Sequence, residues 1–178
     1  TSRLAGQLLS LARLRHAEEE GTATRLDAVS LLRETAFDWA QRDAAQGHDI
    51  GLAALPESPQ YICGEAWALR ELLGNLIDNA LRYTPPGSVI TLGAVRHAQT
   101  LEWYIEDDGP GVSAEVMARL HRPFERGGRQ DTEGSGLGLA IVDSIVRRHA
   151  ARMQVESAEK GGLRVRLLFP CLTRHEEG

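Results

Sequence analysis

Cysteine is scarce in this chain: Cys63 and Cys171 are its only two, and neither sits in a CxxC or beside a histidine cluster. A disulfide framework and a cysteine-based zinc site are excluded, and a reducing compartment fits. Long apolar runs are missing too, none approaching the roughly eighteen residues that cross a bilayer. No charged-then-apolar leader is read at the start of the chain. Excess positive charge is also lacking. Lys and Arg number 20 against 25 Asp and Glu, a net charge of −5, which speaks against a general nucleic-acid binder. An acidic chain that holds an anion must therefore concentrate its cations locally. There is no internal repeat and no low-complexity tract.

What remains is ordinary for a folded domain. A hydrophobic fraction of 42% with 25% charged residues rules out wholesale disorder. The 178 residues suffice for one good-sized domain with an attached stub. Thr1 falls in the middle of a helical pattern, so the chain reads as a fragment of something longer.

The organisation follows from periodicity. Leu4, Leu8 and Leu11, widened by Leu9 and Leu14, mark a first helix that ends in Glu18-Glu19-Glu20-Gly21. It reads either as a core helix or as the remnant of a bundle that pairs chains. A polar linker over 21–28 separates it from a domain over 29–172, and residues 173–178 form a tail. Ser30 to Gln46 predicts a helix stopped by Gly47, and Ile50 to Leu55 and Gln60 to Cys63 predict short strands. Ala66 to Tyr83 predicts a strong helix stopped by Thr84-Pro85-Pro86-Gly87. Strands are expected over Val89 to Val95 and Leu101 to Glu106, then a short helix capped by Ser113. Arg122 to Ser135 reads as a mobile loop. A helix over Leu137 to His149 and strands over Met153 to Ser157 and Leu163 to Phe169 complete the chain.

Four stretches carry chemistry, and Arg82, Arg122, Arg126 and Arg129 all fall inside or beside them. Glu71, Asn75 and Asn79 are spaced by four and share one helix stripe, with Leu72, Leu73, Leu76 and Ile77 on the opposite side. Asparagine competes with the helix backbone, so two on one stripe ask for a reason. A hard cation such as Mg²⁺, which takes oxygen ligands and keeps phosphate and water in its shell, supplies one. The plain alternative is a solvated polar face. Arg82 and Tyr83 continue the stripe with a cation for phosphate and a ring for a base.

Asp107-Asp108-Gly109-Pro110-Gly111 follows an apolar strand. Its glycines let the backbone approach a ligand, and Asp107 can accept a hydrogen bond from an exocyclic amine such as that of adenine. A simple turn explains the same pairs. Arg122-Pro123-Phe124-Glu125-Arg126 opens the loop, with Phe124 as an anchor and Arg126 or Arg129 reaching phosphate. Gly134-Ser135-Gly136-Leu137-Gly138-Leu139 opens a helix whose free N–H groups suit phosphate. No strand immediately precedes it and no Lys follows its last Gly, so it is neither a Rossmann nor a Walker A loop.

In this order the four stretches resemble the N, G1, F and G2 boxes of the catalytic ATP-binding domain of bacterial sensor histidine kinases. That domain belongs to the wider gyrase, chaperone, kinase and mismatch-repair ATPase superfamily. The resemblance covers roughly Asp27 to Cys171. It implies a two-layer α/β sandwich of the Bergerat type, a mixed sheet of about five strands with helices on one face. The stub over 1–20 is similar to the end of a dimerisation and phosphotransfer helix. Carried over, Asn79 is the main Mg²⁺ ligand and Asn75 assists. Arg82 contacts phosphate, Tyr83 flanks adenine and Asp107 binds its amino group. Gly109 and Gly111 shape the base pocket, and Gly134, Gly136, Leu137 and Gly138 form the lid hinge and phosphate-facing helix start. Val112, Phe124, Arg126, Ser135 and Leu139 complete the nucleotide set.

The resemblance further implies that ATP and Mg²⁺ are the cofactors and that Glu71, Asn75 and Arg82 serve transfer of the γ-phosphate to a histidine. The partners it implies are a phosphoacceptor bundle of the same full-length protein, a downstream response regulator, and a second copy of the full-length chain, the stub itself being compatible with a monomer. Nucleic acid is not among them. The fragment would be cytoplasmic and the whole protein seated in a bacterial inner membrane. One departure matters. The acceptor motif, a histidine followed by an acidic residue and Arg-[Ser/Thr]-Pro, is absent, and His16 in Arg15-His16-Ala17-Glu18 has the wrong neighbours. The six histidines read as surface or structural residues. The alternative activity is ATP hydrolysis with Glu71 as general base. A module that has lost nucleotide is disfavoured because every box is intact.

Overall fold

The computed structural model describes residues 2–21, 23–42, 45–120 and 137–172. The loop reading of Arg122 to Ser135 and the tail 173–178 lie outside the described residues. In chain order the elements are α1 (Ser2–Glu20), β1 (Thr24–Asp27), α2 (Ala28–Ala40), β2 (Asp49–Leu52), β3 (Tyr61–Gly64) and α3 (Ala66–Tyr83). There follow β4 (Val89–Arg96), β5 (Thr100–Asp107), α4 (Ala114–Leu120), α5 (Leu137–Arg148), β6 (Arg152–Ser157) and β7 (Leu163–Pro170).

The main sheet has the order β2-β4-β5-β7-β6. Only β2 and β4 are parallel, and the other neighbours are antiparallel, so the sheet is mixed. Alternation along the strands decides which face is covered. Ile90, Leu92 and Ala94 of β4, Leu101, Trp103 and Ile105 of β5, and Leu167 and Phe169 of β7 are all buried. They pack against Leu69, Leu72, Leu73, Leu76 and Ile77 of α3 and Ile141, Val142 and Ile145 of α5. Trp103 is fully buried, edge-on to Phe169 at 4.9 Å, and donates through Nε1 to the Ala28 carbonyl at 3.2 Å. The intervening positions carry charge: Arg166 grips Glu102 at 2.6 Å, and the Arg164 guanidinium lies 4.2 Å over the Tyr104 ring. One face is a helix-packed core and the other a polar lattice, so the architecture is the expected two-layer α/β sandwich.

Two local features differ from the sequence reading. The segment read as a polar linker carries β1, which pairs antiparallel with β3 from Thr24↔Gly64 to Asp27↔Tyr61. Long-range pairing overrides its weak strand propensity. Asp27 then caps α2, accepting from Val29 N at 3.1 Å and Ser30 Oγ at 2.7 Å, and it also takes Gln60 N at 3.1 Å. The helix thus starts at Ala28. It stops after Ala40, where Gln41 and Arg42 bond back three residues to Asp38 and Trp39.

Burial alone would raise the Asp27 pKa, but the bonds from Ser30, Gln60 and Val29 outweigh it and hold the carboxyl below its ordinary value. We expect Asp27→Ala to cost about 1–2 kcal/mol in denaturant unfolding. A depressed folded pKa means that this stability is present above the unfolded pKa and fades as pH falls below about 4, so the difference between wild type and variant should shrink there.

Helices α3 and α5 are tied together at one end by the buried Arg148–Glu65 ion pair and by His149. His149 Nε2 accepts from Glu65 N at 3.2 Å, and its Nδ1 stands 2.7 Å from the Ile145 carbonyl, the neutral tautomer with the proton on Nδ1. Burial lowers its pKa, which keeps the ring neutral. It is a structural histidine.

Candidate nucleotide-binding site

Helix α3 organises the site because its two sides are chemically opposite. Its leucines are buried in the sheet, whereas Glu71, Asn75 and Asn79 are half-buried along the other side. Asn75 Nδ2 donates to the Glu71 carbonyl at 2.8 Å, which fixes the carboxamide and turns Oδ1 towards α5. There it faces Gly138: a Cβ built on that glycine would lie 3.0 Å from Asn75 Oδ1. A side chain at 138 would crowd the carboxamide, so the first turn of α5 and the middle of α3 meet only across a glycine. Leu139 is half-buried in the same turn.

At its C-terminal end α3 reaches the second cluster. Arg82 and Tyr83 are exposed there, Tyr83 by 59%. Thr84 is buried, donates through Oγ1 to the Ala80 carbonyl at 2.7 Å, and meets His48 Nε2 at 3.0 Å. Its methyl packs on Gly109, where a Cβ would lie 2.8 Å from Thr84 Cγ2.

The adjacent aspartates have separate roles. Asp108 Oδ1 accepts from Val89 N at 2.7 Å and so holds the start of β4. Asp107 Oδ1 accepts from Gly109 N at 3.0 Å and Leu163 N at 3.4 Å. Behind it, the turn into β7 presses backbone on backbone. A Cβ on Gly162 would lie 1.9 Å from the Asp107 carbonyl oxygen, and one on Gly111, at φ 73°, would lie 2.6 Å from that of Gly161. Val112 is exposed beside this turn.

The structure thus brings together Glu71, Asn75 and Gly138 at one end, and Asp107, Gly109 and Gly111 near the other. Phe124, Arg126, Gly134, Ser135 and Gly136 lie outside the described residues, and Leu137 is placed only as the first residue of α5. Sequence reasoning missed Thr84, which it read only as a helix stop, and the pair Gly161-Gly162, whose doubling ahead of a strand was the available signal. It also missed α1. Ser10 Oγ donates to Glu71 Oε2 at 3.0 Å, and Gln7, buried, places Nε2 3.4 Å from the Cβ position of Gly138. An open groove of about 690 Å³ runs beside this contact, lined among others by Ser10, Arg13, Trp39, Trp67, Glu71 and Asn75.

Comparisons with known proteins agree with this geometry. The family described as histidine kinase-, DNA gyrase B-, and HSP90-like ATPase matches residues 64–173. The sensor protein QseC of Escherichia coli (strain K12) is 33% identical over 168 residues, covering 93% of this chain and 36% of QseC. The sensor histidine kinase TrcS of Mycobacterium tuberculosis is 36% identical over 161 residues, covering 86% of this chain and 31% of TrcS. The chain therefore spans about a third of the length of these relatives. Among solved structures, the ATP-binding domain of PrrB from Mycobacterium tuberculosis superposes with a TM-score of 0.66 at 27% identity, covering 85% of this chain and 98% of that one. With the family matched from the end of β3 to just beyond β7, the chain belongs to the histidine kinase-, DNA gyrase B- and HSP90-like ATPases, as the catalytic ATP-binding domain of a sensor histidine kinase.

Proposed function

We propose that this domain binds Mg²⁺·ATP along α3 and passes the γ-phosphoryl group to a histidine on a helical bundle outside this chain. The observation that carries the reading is the pinning of one helix at two chemically different places. Asn75 is fixed against the start of α5. Nine residues later, about 13 Å along the axis, Thr84 packs on the turn that follows Asp107. A nucleotide laid between them has its base at a carboxylate and its phosphates at a helix N-terminus. Asp107 spends Oδ1 on two backbone donors, which orients the carboxylate so that Oδ2 can take the adenine amino group. Arg82 and Tyr83 flank the path, one for phosphate and one for the base. The lid residues Phe124, Arg126, Gly134, Ser135 and Gly136 belong to the same proposed set.

The metal fits the donors present. Asn79 is its main ligand and Asn75 Oδ1, held forward, assists. Among the described residues no three His, Cys, Asp or Glu side chains cluster to hold a metal ion. Phosphate oxygens and waters would therefore complete the shell, the habit of Mg²⁺. When bound, the ion neutralises charge on the phosphates. The side chains bind and orient, which is most of what phosphoryl transfer asks of a protein.

The acceptor lies elsewhere because the described histidines offer none. His149 is buried and hydrogen-bonded, and His16 lacks the acceptor's neighbours. In the full-length protein, a relay to a response regulator, a homodimer and a seat in the bacterial inner membrane follow from the same reading. Leu4, Leu8 and Leu9 are exposed on α1 and support pairing of two chains. Among the described residues no helix is long and apolar enough to cross a membrane.

Titration with a fluorescent ATP analogue tests the binding step. Saturable binding should appear with Mg²⁺, vanish on chelation, and be displaced by ATP at lower concentration than by GTP. A signal indifferent to Mg²⁺ would sink the site assignment.

A further inference from the structure

Helix α1 covers the acceptor-facing end of the α3 stripe, and it does so with a chosen face. Gln7, Leu14 and Ala17 are buried while Leu4, Leu8 and Leu9 are exposed, so the leucine stripe read from the sequence is not the docked one. Leu14 joins the core. The Ala17 carbonyl accepts from Arg148 Nη2 at 2.7 Å, and the Arg13 guanidinium stacks 4.4 Å over the Trp67 ring. Between these anchors and Gln7, the Ser10 hydroxyl meets the Glu71 carboxylate. A serine on a helix has no need of a partner 61 residues away, and a solvated glutamate has no need of a serine.

We propose that Ser10 is a positioning residue that withholds Glu71 from water and thereby protects bound ATP from hydrolysis. This rests on the reading that the γ-phosphate lies at the Glu71–Asn75 end of α3. The discrimination is chemical. In hydrolysis the water oxygen forms a bond to the γ-phosphorus, the bond from that phosphorus to the β,γ-bridging oxygen breaks, and the water proton passes to a base. Glu71 is the carboxylate placed to take that proton, yielding ADP and inorganic phosphate. A neutral imidazole attacks through a nitrogen lone pair and needs no proton removed beforehand. Engaging Glu71 Oε2 with a hydroxyl, and laying a helix over it, therefore slows attack by water far more than attack by histidine.

The test uses the whole chain of 178 residues. Phosphate release and fluorescent-analogue binding are measured for wild type, Ser10→Ala, Ser10→Thr and Ser10→Ala/Glu71→Gln. Ser10→Ala should raise the kcat of ATP hydrolysis by roughly tenfold or more, the scale of a newly freed general base, with KM unchanged. Ser10→Thr, which keeps the hydroxyl, should stay at the wild-type rate, and Glu71→Gln in the double variant should abolish the gain. A rate unchanged in Ser10→Ala, or a gain that survives Glu71→Gln, overturns the proposal. The binding arm separates the two levels: wild type that binds Mg²⁺·ATP while Ser10→Ala stays slow refutes Ser10 alone. Wild type that binds no nucleotide refutes the site reading and this inference with it.

Discussion

Asn79→Ala should abolish Mg²⁺-dependent ATP binding, lowering affinity at least about a hundredfold while leaving the melting temperature near that of wild type. Asn79 is half-buried on the polar side of α3, opposite the leucines that hold the core, so its removal opens no apolar cavity. Alanine is also the better helix former. What is lost is a carboxamide oxygen for a hard cation whose remaining ligands are mostly phosphate and water. Without the ion the triphosphate keeps its full charge at a helix end that offsets only about half an elementary charge. Isothermal calorimetry with and without Mg²⁺ reads the effect. An affinity unchanged in both conditions would remove Asn79 from the metal site, and with it the assignment of the stripe.

Asp107→Asn should weaken ATP binding by roughly ten- to a hundredfold and erase the preference for ATP over GTP. The substitution is chosen because the fold can tolerate it. One oxygen remains to accept from Gly109 N and Leu163 N, so the clasp on the turn into β7 survives. The second oxygen becomes an NH₂ group, and a donor then faces the adenine amino donor. A hydrogen bond to a charged acceptor contributes about 1.5–3 kcal/mol, and the mismatch strips it away. Competition between ATP and GTP for a fluorescent analogue measures the change. A preference for ATP that persists in the variant would place base recognition elsewhere.

How far the fold was legible depended on where each element's partner lies. Helix α3 was readable end to end, because its leucines recur on one face and Thr84-Pro85-Pro86-Gly87 stops it. Strands β4 and β5 were readable within a residue at each end, since alternation along an eight-residue strand needs no outside information. Strand β1 was not. It exists through pairing with β3 and through the hold of Asp27 on Gln60, 33 residues away. The docked face of α1 was hidden for the same reason, its polar half being fixed by Glu71 and its apolar half by the core. In the site, residues with unusual chemistry for their position stood out: two asparagines in a helix and glycines around an aspartate. Thr84, Gly161, Gly162 and Ser10 did not, because each acts by touching another residue. Thr84 buttresses Gly109, the glycine pair lets one turn rest on another, and Ser10 engages Glu71.

The central claim is that this domain gives its phosphoryl group to a histidine on another structural unit. Incubating the chain with γ-labelled ATP, Mg²⁺ and a separately supplied helical bundle carrying the acceptor histidine tests it most directly. Transfer should place acid-labile, base-stable label on the bundle faster than free phosphate accumulates, and Asn79→Ala should stop it. Phosphate release with an unlabelled bundle would contradict the account and leave hydrolysis as the activity of the site.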